Sequence, residues 1–326
     1  MILKKTNYFE IQNKLINISK DPDINLEPLL INYFENYYSE STFEDVSFEI
    51  SNNNNFIFCP LTIERKGKEN YLNFYGNYFC IFFIRFDNKL FNYLEKAIED
   101  IKNKKKIKSI KFLIKKEFIF NEVQNIDHSF LDKISINKSI DLSLDLKEII
   151  KNFSKGHRSA IKKNYTELEY QIIDKKNYNN EINEMMKLHE EVSGRKTRAY
   201  NTWIINEQMI KENKGVIIKV LKNGEAISYS FFFKNNFEAI YFSSCTKREF
   251  FKNYNNITHK SILHVIEYLK RFNCKRLTLG NSKTIYDKHQ KNNKEINIEK
   301  FKSSFGGKKY INLHFNIFNN KIINFF

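Results

Sequence analysis

Glycine and proline are scarce in this chain, nine and three of 326 residues. That scarcity excludes a Gly-rich or Pro-rich linker that would mark a domain junction. Cysteine is equally thin. Cys59, Cys80, Cys245 and Cys274 are scattered without paired spacing, so neither a zinc ribbon nor a redox dithiol is encoded and buried thiols are expected. No metal site is expected. Long hydrophobic runs are missing too. The longest, Tyr78 to Ile84, is far too short to span a bilayer, and Met1 to Leu15 lacks a continuous apolar core. The expected location is therefore cytoplasmic, with a surface basic enough for peripheral contact with the inner membrane. Acidic side chains are outnumbered: 54 Lys plus Arg against 38 Asp plus Glu leave a net +16. Such an excess favours polyanionic partners such as RNA, nucleotide phosphates or anionic lipid headgroups. Lys, Asn, Ile, Phe and Tyr are all abundant, however, and a biased genomic base composition yields the same profile without selection for binding.

What is present builds cores. Apolar residues make up 41% of the chain and aromatics 15%, too much for a disordered polymer. A length of 326 residues exceeds what one core usually supports, and a prior of about 100 to 200 residues per domain gives two. The junction is expected within Phe130 to Ser143, giving domains over 1–140 and 141–326.

The second half carries the clearer pattern. Val216, Ile217, Ile218, Val220 and Leu221 form a β-branched apolar run that stops at Asn223-Gly224, a pair suited to a tight hairpin. A strand over Ala226 to Phe233 follows, then a turn at Asn235-Asn236 and a strand over Phe237 to Cys245. After the basic loop Lys247 to Asn256, apolar positions Ile262, Val265, Ile266 and Leu269 predict a helix capped by Thr258 and ending near Asn273. Lys275 to Gly280 reads as a short strand ending where the backbone must turn or let a ligand approach. In the first half, Phe43 to Ile50, Phe56 to Ile63 and Tyr71 to Phe86 read as strands. A helix through Leu90, Leu94 and Ile98, a charged turn over Lys102 to Lys108 and a strand over Ile110 to Ile114 follow. The order of meander, helix and strand thus occurs twice, an architectural repeat without residue identity.

Two further clusters stand out. Asp145 and Glu148 have capping-box spacing before the stripe Leu146, Ile149, Ile150 and Phe153, and Gly156 interrupts or closes that helix. Lys155, Arg158, Lys162 and Lys163 come next, mostly on one face. In a chain this rich in lysine each one alone reads as a solvated charge. Arg158 is the preferred exception, because a guanidinium grips phosphate or carboxylate through two matched hydrogen bonds. The other cluster runs from His189 to Tyr200, after a helix with Ile182, Met185, Leu188 and Val192 inward and Gly194 at its end. His189-Glu190-Glu191 lacks the second histidine of a zinc-protease helix, so His189 is read as structural.

Taken in order, Phe153-Ser154-Lys155-Gly156-His157-Arg158-Ser159-Ala160-Ile161-Lys162-Lys163, the Gly194-Arg195-Lys196 loop, the Gly224 hairpin, the Tyr241 strand and Phe301-Lys302-Ser303-Ser304-Phe305-Gly306-Gly307 give a specific likeness. The chain resembles the FemAB-like branch of the GNAT superfamily, the peptidoglycan-bridge aminoacyltransferases and their BioF-like acetyltransferase relatives. The resemblance covers Asp141 to Phe315; over the first half it rests on the order of elements. It implies an α+β fold of two tandem GNAT-like domains, each a mostly antiparallel mixed sheet flanked by helices, the first degenerate.

The resemblance also implies an activity: an amine attacks an activated acyl carbon, and proximity and charge stabilisation drive the reaction without a covalent enzyme nucleophile. Lys302 is implied as the group that stabilises the oxyanion, with Phe301 stacking to position the donor. Arg195 is implied as a holder of the substrate's anionic part. Tyr200, Tyr241 and Tyr254 are secondary candidates for hydrogen bonding or proton transfer, each alone more readily explained by packing in a chain with 18 tyrosines. No tightly bound cofactor is implied. Ordinary GNAT enzymes hold coenzyme A pyrophosphate with a glycine-rich turn, whereas Lys247 to Asn256 has no glycine. Lys247, Arg248 and Lys252 would have to meet donor phosphates by side chain, which favours an aminoacyl-tRNA donor over acyl-CoA. The acceptor is expected to be an amine of a cell-envelope or surface-glycan precursor, nucleotide-linked or lipid-linked. The alternatives are an acyl-CoA-dependent N-acetyltransferase of a nucleotide-linked amino sugar and a non-catalytic GNAT-like module that binds RNA or anionic lipid.

Overall fold

The computed structural model describes residues 2–19, 23–52, 55–83, 85, 87–115, 131–251, 253–254, 256–283 and 293–318. The chain divides into two compact units, the first comprising 1–136, 283–290 and 310–326, the second 137–282 and 291–309.

In the first unit β1 (Ile2–Lys5), α1 (Tyr8–Ser19) and α2 (Pro28–Tyr37) precede a series of short strands. These are β2 (Thr42–Asp45), β3 (Phe48–Asn52), β4 (Asn55–Cys59), β5 (Thr62–Lys66), β6 (Glu69–Asn73), β7 (Phe79–Cys80) and β8 (Phe82–Phe83). Each of the three long strands expected here is broken, and the cause is local. Pro60 has no N–H to give to a ladder, and the buried Ser47 hydroxyl accepts from Leu61 N at 3.0 Å. The hairpin turns a corner at that point. β3 pairs with β4 in a sheet ordered β1-β3-β4-β8, while β2 pairs with β5 in another. The third run breaks at Tyr75-Gly76, whose φ angles of 47° and 79° make a tight turn. Next comes α3 (Asn88–Lys105), capped by Asp87, which extends through most of the charged stretch expected to be a turn and ends at Lys106 in the left-handed region. After it comes β9 (Ile107–Lys115). Ile50, Ile57, Ile63, Leu72, Leu90, Leu94 and Ile110 centre the core of this unit.

The segment expected to hold the domain junction is itself a strand, β10 (Leu131–Asp141), with the unit boundary inside it between Ile136 and Asn137. In the second unit α4 (Leu146–Lys151) is capped by Asp145, whose carboxylate accepts from Glu148 N at 2.7 Å. That helix stops before Gly156. Ser154 caps a separate helix, α5 (Lys155–Lys162), and Gly156 lies in its first turn. The unit continues through β11 (Leu168–Ile173), α6 (Glu181–Ser193), α7 (Tyr200–Lys211), β12 (Gly215–Lys222), β13 (Glu225–Lys234) and β14 (Glu238–Thr246). The Asn223-Gly224 hairpin forms with φ angles of 50° and 83°, and Asn235 closes the next turn by accepting from Phe237 N and Glu238 N at 2.9 and 2.7 Å. Then follow α8 (Ile257–Arg271), β15 (Arg276–Lys283) and α9 (Asn293–Ser303). Residue 258 does not cap α8: the helix begins at Ile257, and the residue before it, Asn256, is drawn aside to donate to the carbonyls of Ala160 and Lys163 at 3.2 and 2.9 Å. The strands of this unit are ordered β11-β12-β13-β14-β15-β10, and α8 packs Ile262, Val265, Ile266 and Leu269 against Val216, Ile218 and Phe232.

The last strand, β16 (Lys308–Phe318), departs from the expected division. From Tyr310 onward it belongs to the first unit, because Asn312 to Phe318 pair antiparallel with Lys115 to Ser109 of β9. Cys59, Cys245 and Cys274 are buried free thiols and Cys80 is half-buried. Among the described residues no helix is long and apolar enough to cross a membrane, and no group of three or more His, Cys, Asp or Glu could hold a metal ion.

Candidate active site

The second unit's sheet opens between β14 and β15. β14 is paired along its length with β13, but its parallel ladder with β15 is three pairs long: Glu238 with Arg276, Ala239 with Leu277 and Ile240 with Thr278. The closed end is clamped by Glu238, whose carboxylate accepts from Arg276 Nη2 at 2.8 Å and from Thr278 Oγ1 at 2.6 Å. Beyond that, β14 runs on to Thr246 and β15 to Lys283. A bulge helps them part. Phe232 pairs with Tyr241 and Phe231 with Ser243, so Phe242 is the extra residue and β14 bends there. On the other arm Gly280, two residues past the last pair, has φ +82°.

Lys302 reaches this opening. Its Nζ lies 3.1 Å from where a Cβ on Gly280 would sit, so the bare glycine leaves room for the lysine head. Two glycines aim the segment. Gly306 and Gly307 have φ of 65° and 84°, and a Cβ on either would collide with the backbone carbonyl oxygen of Asn152 or Ser139 respectively. Only glycine fits this double approach. Ser154 N donates to Ser304 O at 2.7 Å, which ties the same turn to the start of α5. Phe305 is fully buried against Phe153 at 5.1 Å between ring centroids.

A second lysine reaches the residue after Lys302. Lys138 of β10 is 4% exposed, and its ammonium donates to the Ser303 hydroxyl. Burial, and then the Lys138 charge, hold the Lys302 pKa below the usual lysine range. No carboxylate pairs with Lys302 among the described residues.

Phe301 serves this arrangement as an anchor. Its ring is edge-on to Phe305 and His259, at 5.0 and 5.2 Å, and tilted against His157 at 5.6 Å. His157 is buried and donates from Nε2 to the Phe301 carbonyl at 3.1 Å, which fixes Nε2 as its protonated nitrogen. Burial lowers the His157 pKa, with the carbonyl bond acting in the opposite sense. With those neighbours Phe301 is half-buried.

The remaining expected residues divide. Arg195 is exposed just after Gly194, the left-handed cap of α6, and has no ion-pair partner among the described residues. Tyr200, at the start of α7, is also exposed. Between them Arg198 stacks on Trp203 at 4.5 Å and donates to His189 Nε2 at 3.2 Å, so His189 is a structural acceptor. No contact among the described residues joins Arg195 or Tyr200 to Lys302. Tyr241 stacks on Phe232 at 5.1 Å at the bend of β14, and burial raises its hydroxyl pKa. Tyr254 lies elsewhere, in a small core with Val220, Ile227 and Ile257, and donates to Glu167 at 3.0 Å.

Arg158 is bonded to backbone on its own side of the fold. Its guanidinium donates to the carbonyls of Lys151 and Phe153, capping the end of α4, where helical carbonyls lack partners. Two residues of the basic loop also have protein partners. Lys247 is paired with Glu225 at the foot of the β13–β14 hairpin, and Arg248 donates to Val192 O near the end of α6 at 3.2 Å. Lys252 lies outside the described residues. Lys138 was missed, and its signal was present: Ile134, Ile136 and Ile140 alternate through β10, which puts a lysine at an apolar position of the same strand face.

No family model and no curated protein matches the sequence. Solved structures do match. FemX aligns over 99% of this chain and 100% of its own with a TM-score of 0.70 at 12% identity. A tandem GNAT protein from the clavulanic acid biosynthesis pathway aligns over 97% and 98% with a TM-score of 0.53 at 6% identity. L-PGS from Bacillus licheniformis aligns over 88% and 91% with a TM-score of 0.50 at 12% identity. At such identities the likeness is one of architecture: the chain shares its overall fold with FemX and with a tandem GNAT protein, two α+β units with mostly antiparallel mixed sheets flanked by helices.

Proposed function

We propose that the chain is an N-acyltransferase that joins an activated acyl or aminoacyl group to an amine, with the acyl carbon held where β14 and β15 part. One observation carries this reading: Lys302 Nζ stands over Gly280 at the opening. An N–H donor there meets the carbonyl oxygen as the acyl carbon becomes tetrahedral, in surroundings where half-burial strengthens the bond. The unpaired strand edges supply a slot in which an extended donor can lie by backbone hydrogen bonding. The exposed Arg195, with the exposed Tyr200 at the start of the next helix, is the proposed grip for an anionic group on the acceptor. The proposed acceptor is the amine of a nucleotide-linked or lipid-linked cell-envelope precursor.

The proposed donor is an aminoacyl-tRNA. Lys247 and Arg248 are engaged by protein groups, and the residue before α8 is turned into the core, which leaves less for a pyrophosphate than the usual glycine-rich turn provides. The excess of 16 positive charges suits a polyanion. The test incubates the protein separately with charged tRNA and with acetyl-CoA, each with amino-sugar and peptide acceptors, and reads amide products by mass spectrometry. Product with charged tRNA that is lost in Lys302→Ala supports the proposal. Product with the thioester alone reverses the donor, and product that survives Lys302→Ala removes the lysine from the mechanism.

A further inference from the structure

The first unit holds a tyrosine that packing alone does not account for. Tyr75 stands at φ 47° in the turn between β6 and β7, a left-handed conformation that strains a bulky L-residue. The surroundings enforce it. Tyr75 N donates to Thr62 Oγ1 and Gly76 N to Asn73 Oδ1, both at 3.0 Å, and the Tyr38 ring packs where a Cβ on Gly76 would sit. The Tyr75 ring, 5% exposed, meets Tyr8 edge-on at 5.9 Å and Phe43 at 5.4 Å. A phenylalanine would serve that packing. Yet the Tyr75 hydroxyl has no hydrogen-bond partner among the described residues, and neither has that of Tyr8. A polar group in such surroundings is costly unless something else satisfies it.

Two carboxylates border these hydroxyls. Asp45 of β2 accepts from Tyr8 N at 3.3 Å and from Ser47 N at 2.9 Å, which fixes it beside Tyr8. Glu35 of α2 lies three residues before Tyr38, on the helix side that covers the turn. Burial, and after it the charges of Glu35 and Asp45, raise the pKa of both hydroxyls, so both stay neutral phenols able to accept from a donor. In a chain of net +16, neither carboxylate has an ion-pair partner among the described residues. The donor set is not that of a metal site, since no group of three or more His, Cys, Asp or Glu among the described residues could hold a metal ion. It fits an organic cation: carboxylates for the charge, phenol oxygens for N–H groups and aromatic carbon for an alkyl stem. We propose that Tyr8, Glu35, Asp45 and Tyr75 form a binding site in the first unit for the alkylammonium group of a small organic amine. Binding here is independent of the acyltransfer reading, because the amine keeps its proton and no bond to it is made or broken.

The test titrates butylammonium chloride into the full chain by isothermal titration calorimetry near neutral pH and at constant ionic strength, with potassium chloride as the inorganic control. Saturable binding of one butylammonium per chain is expected, and no saturable heat from potassium. Tyr75→Phe keeps the ring and removes the hydroxyl; it is expected to weaken binding about tenfold, the loss of a hydrogen bond to a charged group. Glu35→Gln changes an exposed residue at the rim and is expected to weaken binding about threefold. Glu169→Gln removes an exposed carboxylate of β11 in the second unit, the same change in net charge, and is expected to leave the affinity unaltered. Absence of saturable heat with butylammonium, equal binding of potassium, an unaltered affinity in Tyr75→Phe or in Glu35→Gln, or an equal loss in Glu169→Gln would each overturn the proposal. Should Tyr75→Phe fail to fold, the contrast between Glu35→Gln and Glu169→Gln still decides it. No acyl donor enters these titrations, so their outcome is separate from that of the amide-formation assay.

Discussion

Lys302, the proposed site residue, is one that the folded chain holds against its own stability. Burial and Lys138 lower its pKa from the ordinary 10.5, so the folded state binds this proton less tightly than the unfolded state does. Below the folded pKa both states carry the proton and the cost is full; it is relieved as pH rises from the folded value toward 10.5. Lys302→Met keeps the stem and removes the charge. It is expected to raise the thermal midpoint near neutral pH, by a margin that narrows as pH approaches 10.5, while amide formation is lost. A lower midpoint at neutral pH would contradict this account. Gly280→Ala tests the same contact from below. The positive φ there costs an L-residue about 1–2 kcal/mol, and the new Cβ would stand 3.1 Å from Nζ. A modest loss of stability with a larger loss of turnover is expected, measured by denaturant unfolding and initial rates. The sequence pointed to Lys302 and to a close approach at Gly280. It hid the packing of Phe301 and the capping by Arg158, because both depend on neighbours that the linear pattern does not name.

At the scale of elements, what sequence shows best is a strand or helix whose signal is local. The β12–β13 hairpin, the α6 cap at Gly194 and the Asp145 cap are written in adjacent residues and form as expected. The corner at Ser47 and Pro60 and the polar strand β10 are not, since tertiary pairing decides them. Glycines separate the two regimes. Gly224 and Gly306 share a positive φ, of 83° and 65°, but a Cβ at Gly224 meets nothing within 4 Å whereas one at Gly306 strikes the Asn152 carbonyl. Gly224→Ala therefore carries only the backbone strain, about 1–2 kcal/mol. Gly306→Ala must in addition undock the turn that follows α9 from the end of α4. A loss at least about 2 kcal/mol greater is expected for Gly306→Ala, an overpacking cost, with Lys302 displaced as a result. Equal unfolding free energies for the two variants would show that the turn after α9 is not held by this approach.

For the whole molecule, the division into units was legible only in part. Length and the repeated order of elements gave two units, but the return of residues 310–318 to the first unit rests on the pairing of β16 with β9, strands about 200 positions apart in the chain. Charge is the property that sequence states outright, and it carries a prediction about the donor. If a net +16 is used to hold a polynucleotide, binding must release counterions and fall steeply with salt; a footprint of about five phosphates lowers affinity a few hundredfold between about 50 and 200 mM salt. A nucleotide-sized thioester presents fewer charges and gives a shallower slope. Lys162, Lys163, Arg195 and Lys196 are exposed, so glutamine at these four positions should flatten the slope for tRNA by several phosphates while leaving the thermal midpoint nearly unchanged. Fluorescence anisotropy with labelled tRNA across a salt series measures this directly. A flat salt dependence, or a slope that the four substitutions do not alter, would mean that the basic surface is compositional and that the donor is selected at the opening between β14 and β15 alone.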